Sequence, residues 1–81
     1  MLTSTFNPLL ANALPNGASI LQRSYRDSWG YWVMLCYRRN TVQPYVIWNI
    51  GEDGDAHEGI YCDSYARAQI RFNQRIHNIQ A

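Results

Sequence analysis

The chain has 81 residues, 47% of them apolar and 16% charged, with a formal charge of +1. That is one domain's worth of chain, too apolar to be intrinsically disordered and too nearly neutral for its net charge to select nucleic acid or an acidic partner. No apolar run reaches the ~20 residues that span a bilayer, and no basic start leads into an apolar stretch and a small-residue cleavage site, so the expectation is a cytoplasmic protein without membrane attachment.

Residues 1–17 hold two of the three prolines. Pro8 and Pro15 each interrupt a helix interior. The segment is expected to be an extended or single-turn arm lying on the domain, ended by the turn Pro15-Asn16-Gly17. Ala18 to Arg26 partly alternates and reads as a first strand. Asp27-Ser28-Trp29-Gly30 supplies turn chemistry. Tyr31 to Arg38 is apolar on both parities, which marks a strand covered on both faces or presenting one face to a partner. After a turn at Arg39-Asn40-Thr41, Tyr45 to Ile50 reads as a third strand. Pro44 stands just before it, where no ladder donor is needed.

Gly51 to Gly59 reads as a loop with an Asp53-Gly54 turn pair, followed by a short fourth strand at Ile60-Tyr61-Cys62. Asp63 or Ser64 then caps a helix running to about Asn78. Its apolar stripe is Tyr65, Ala68, Gln69, Phe72, Ile76 and Ile79, with Arg67, Arg71 and Arg75 on the opposite side. The expected fold class is α+β: a four-stranded antiparallel β-meander with one C-terminal α-helix packed on one face. Residues 1–17 form the arm and 18–81 the single domain. One helix covers only one face of such a sheet. The arm is expected to cover part of the other face, and a second chain the rest.

All seven basic residues are arginine, and the aromatic residues include three tryptophans and six tyrosines. Arginine binds carboxylate and phosphate as a planar fork, and Tyr, Trp and Arg are the residue types enriched at interface hot spots. Charge is segregated. Residues 1–51 carry four arginines against Asp27, a charge of +3. Residues 52–62 carry four acids and no arginine, a charge of −4 with His57 neutral, and residues 63–81 return to +2. The stretch Glu52, Asp53, Asp55, Glu58 therefore offers a locally negative surface to a basic partner.

Catalytic chemistry finds little footing. Nucleophilic catalysis needs a nucleophile, a base and an orienting group. Neither His57 nor His77 has a partner by spacing, and no glycine-rich phosphate cradle is present. Cys36 and Cys62 lie inside apolar strand-like runs and read as reduced, buried thiols. Asp53, Asp55, His57 and Glu58 are close together, but their spacing matches neither a calcium loop nor a zinc set. No metal or cofactor is expected, and the chain is expected not to be an enzyme.

From Gly59 the sequence reads G-x-Y, then Ala68-x-x-x-Phe72-x-x-Arg75, after an aromatic hairpin containing Tyr45 and Trp48. Over about residues 30–77 this resembles small uncharacterised proteins carried by bacteriophages, plasmids and integrative elements, in which a β-meander is followed by one helix. The resemblance implies a bacterial or phage accessory protein of the size used by anti-defence inhibitors, including anti-CRISPR proteins. The functional expectation is a non-enzymatic protein that inhibits or modulates a larger protein partner, such as a nucleic-acid-handling complex, by occluding its surface. Glu52, Asp53, Asp55 and Glu58, with the aromatics Trp32, Tyr45 and Trp48, are the expected contact residues. The alternatives are a nucleic-acid-binding accessory protein using Arg38, Arg39, Arg67, Arg71 and Arg75, and a structural homodimer pairing through the free sheet face.

Overall fold

The computed structural model describes residues 6–26 and 30–80. Four strands, β1 (Ser19–Arg26), β2 (Tyr31–Tyr37), β3 (Tyr45–Ile50) and β4 (Ala56–Cys62), precede one helix, α1 (Tyr65–Gln80). They form a single open antiparallel sheet in the order β1-β2-β3-β4, so the α+β meander read from the sequence is the observed architecture. The expected turn at Asp27-Ser28-Trp29 lies outside the described residues.

The two central strands explain why both faces must be covered. Successive side chains of a strand point to opposite faces. On β2, Val33 and Leu35 point one way and Met34 and Cys36 the other, and all four are fully buried. The first face packs under α1: Val33, Leu35, Ile47 and Cys62 meet Ala68 and Phe72, with Ile76 beside them. The second face packs under the N-terminal arm: Met34, Cys36, Val46, Trp48 and Ile50 meet Leu14 and Ala18, with Phe6 beside them. The arm was expected to cover part of this second face, and its described residues do cover the centre.

The arm can do this because it is a folded element. Leu10 and Ala11 donate to the Asn7 carbonyl, which makes one helical turn. The chain then reverses at Pro15-Asn16-Gly17, where Gly17 has φ +96°. There Leu14 N–H donates to the Ala18 carbonyl and Gly17 N–H to the Leu14 carbonyl. Arg23, on the arm's face of β1, donates from both terminal nitrogens to the Pro8 (2.5 Å) and Ala11 (2.7 Å) carbonyls. A guanidinium fork thus satisfies two carbonyls that no strand pairs.

The fourth strand corrects the sequence reading. It begins at Ala56 rather than Ile60. The turn is only five residues long, closed by Gly51 N–H donating to the Asp55 carbonyl (3.0 Å). What hides the strand is a bulge between Ile47 and Asn49 pairing, opposite Trp48. Glu58 takes φ +55° there, a conformation usually left to glycine. Gly59 follows because a Cβ at that position would lie 2.7 Å from the Trp48 indole nitrogen. The glycine of the G-x-Y motif makes room for an indole.

The helix is capped by Ser64, whose Oγ accepts from Arg67 N–H (3.2 Å). Its one polar stripe member, Gln69, is not left unsatisfied. Its amide nitrogen donates to Gln22 Oε1 on β1 (3.2 Å), and its oxygen accepts from the Tyr65 hydroxyl (2.9 Å) and from Gln22. A polar triad therefore pins the helix to the far edge of the sheet. The stripe's last apolar member, Ile79, has no described side chain.

Candidate functional site

Three surfaces emerge from the residues singled out in the sequence. The first is the β3–β4 turn. Glu52, Asp53 and Asp55 are exposed on it. Its backbone is fixed: Gly54 N–H donates to the Gly51 carbonyl (3.0 Å), and Asp55 N–H to Asp53 Oδ1 (3.1 Å). Gly54, buried at φ +91°, packs against Pro15 and Phe6 of the arm. Three carboxylates therefore project from a turn held by its own hydrogen bonds and by the arm packed on Gly54. The fourth acid, Glu58, lies outside the turn on β4 and accepts a hydrogen bond from the Asn49 amide (3.1 Å).

The second surface is the expected aromatic patch, and the structure divides it. Trp48 is 7% exposed on the arm's face, with Tyr61 edge-on to it at 6.4 Å. Trp32 is half-buried on the same face, 4.9 Å from the ring of Tyr25, which is 51% exposed. Tyr45 lies on the helix face, between Tyr37 (5.3 Å) and Tyr65 (5.8 Å). Tyr45 is thus separated by the sheet from Trp32 and Trp48, and of those two Trp48 is buried.

The third is the arginine set, which is also divided. Arg75 is half-buried and donates to Asn49 Oδ1 (3.2 Å), forming with Glu58 a chain across the sheet end. Burial lowers its affinity for its proton and the Glu58 carboxylate partly restores it. Arg38 places its guanidinium 4.9 Å from the centre of the Tyr61 ring and donates to the Gln43 carbonyl (3.2 Å). Arg39 is exposed in the β2–β3 turn. Arg67 and Arg71 remain exposed, Arg67 with an ion pair of 3.8 Å to Asp63. They border a groove of about 430 Å³ between β4 and α1, with Ile60, Cys62, Ile70 and Gln74. Ile70 was not singled out in the sequence because it falls outside the stripe that packs on the sheet. Its signal is an exposed apolar residue between two arginines on a helix.

Among the described residues, no three of His, Cys, Asp and Glu come together as metal ligands. His57 is exposed, with its ring 6.2 Å from Tyr31. Cys36 and Cys62 are free and buried. No helix among the described residues is long and apolar enough to cross a membrane. No protein-family model, curated protein or solved structure matches the chain.

Proposed function

We propose that the chain is a small non-enzymatic interaction protein that inhibits or modulates a larger bacterial partner by covering part of its surface, in the style of an anti-defence inhibitor of the anti-CRISPR type. The observation that supports this reading is the β3–β4 turn. Its exposed Glu52, Asp53 and Asp55 sit on a backbone fixed by its own hydrogen bonds and by the arm packed on Gly54. A pre-ordered contact loses little conformational entropy on binding. Clustered carboxylates steer association toward a basic surface, such as the groove of a nucleic-acid-handling complex. The aromatic residues contribute less than the sequence suggested, since Trp48 is buried and Tyr45 lies under the helix. The arginine-based nucleic-acid reading has less behind it, because Arg75 is committed to Asn49.

The test is the triple variant Glu52→Gln/Asp53→Asn/Asp55→Asn. Asn at position 53 keeps the oxygen that accepts from Asp55 N–H. The variant should melt close to the parent, yet lose the protein that the parent immobilised on resin retains from a bacterial lysate. Identical captured proteins, identified by mass spectrometry, exclude the turn from binding.

A further inference from the structure

β4 is the last strand of an open sheet, and among the described residues nothing pairs with its outer edge. Such an edge presents unpaired N–H and C=O groups that template another strand. The helix beside it is not neutral ground. Arg67, Ile70, Arg71 and Gln74 fall at i, i+3, i+4 and i+7, which places them on one side of α1. All four line the groove whose other wall is Ile60 to Asp63 of the β4 end. This is a second stripe, distinct from the Ala68–Phe72 stripe buried on the sheet. Both arginines are exposed, and Ile70 between them is 57% exposed. Asp63 is the one acid lining the groove, and it pairs with Arg67 across 3.8 Å between two exposed side chains, a contact worth little.

We propose that this groove accepts an extended acidic peptide segment, which adds to the free edge of β4 as a fifth strand. Main-chain hydrogen bonds to the edge hold it, and side chains select it. Alternate residues of the incoming strand face α1, where Arg67 and Arg71 take carboxylates. The intervening residues lie on the other side of the sheet, next to Tyr61, which is 45% exposed and stacked by Arg38. There an apolar side chain gains a cross-strand contact. The bulge at Glu58 and Gly59 confines the regular edge to Ile60–Cys62. Few backbone bonds are therefore on offer, and the arginines carry much of the affinity. A single nucleic-acid strand would use the arginines but has no use for the strand edge, which is why a peptide fits better.

This surface lies about 20 Å along β4 from the acidic turn. Its occupancy is independent of the function proposed above, and the Glu52/Asp53/Asp55 variant should bind the peptide unchanged. The experiment titrates the full chain with a short synthetic peptide of alternating Glu and Val, reading amide chemical shifts and fluorescence anisotropy. Shifts are expected at Ile60 to Asp63 and along Arg67 to Gln74. Arg67→Gln/Arg71→Gln should weaken binding about tenfold or more. Methylating alternate peptide amides should weaken the parent's binding similarly, with no change to the protein. Absence of shifts, equal affinity of the N-methylated peptide, or tighter binding of oligothymidylate at the same residues would each overturn the proposal.

Discussion

How the arm is held can be tested at one atom. Gly54 sits beneath Pro15 with φ +91°. In Gly54→Ala, the new Cβ would lie 2.6 Å from Cγ and 2.7 Å from Cδ of Pro15, and 3.2 Å from Cγ of Phe6. The left-handed backbone alone costs an alanine about 1–2 kcal/mol. Overpacking against a ring that cannot rotate away adds about 1–3 kcal/mol. The sum, about 2–5 kcal/mol, lowers the melting temperature of a domain this size by roughly 10 °C or more. Pro15→Ala removes the two clashing ring carbons and leaves the backbone strain. In that background Gly54→Ala should cost only about 1–2 kcal/mol, so the cycle should give a coupling of about 1–3 kcal/mol. Urea unfolding followed by tryptophan fluorescence measures all four corners. Equal cost in both backgrounds, or a total below about 0.5 kcal/mol, would show that the arm does not rest on this turn.

Two further outcomes follow from the same face. Arg23→Met removes the fork that binds the Pro8 and Ala11 carbonyls and should destabilise by about 1.5–3 kcal/mol, with faster proteolysis of the arm; an unchanged urea midpoint refutes that role. Burial pushes the Cys36 thiol up to about 12 from 9.0, against a weaker opposite pull from Arg23. The folded chain then holds this proton more tightly than the unfolded one. Its stabilisation is complete below pH 9.0 and declines as pH rises toward about 12. Cys36→Val should therefore lose less stability than the parent between neutral pH and about pH 10.5. Parallel decline in the two proteins refutes it, as does alkylation of native Cys36 at the rate of a free thiol.

The meander was legible because its signals are local. Apolar residues on both parities of β2 and β3 announce strands covered twice, and Pro44 marks where β3 begins. β4 was partly hidden because the bulge at Glu58 breaks alternation, and because Gly59 serves Trp48 rather than a turn. The dispersal of the aromatic set was written in the chain: Tyr45 and Trp48 are an odd number of positions apart on one strand, so they face opposite sides. Two rings of that parity cannot form one contact surface. The arginine spacing was equally plain, but its division was not. Arg75 parts from Arg67 and Arg71 because Asn49 and Glu58, distant in sequence, wait at its end of the helix. The arm's resting place was hidden for the same reason, since it depends on a contact between Pro15 and Gly54.

The sheet order follows the chain order, so the sheet neighbour of each strand is the next strand synthesised. The arm's bonds to β1 are local too, but its seat on Gly54 is a turn synthesised long after it, and closing that wider loop is entropically uphill. That seat is expected to close only after the meander has paired, leaving the Met34–Val46 side less fully covered until then. Refolding experiments should find substitutions at Leu14 and Pro15 altering the unfolding rate while barely touching the folding rate.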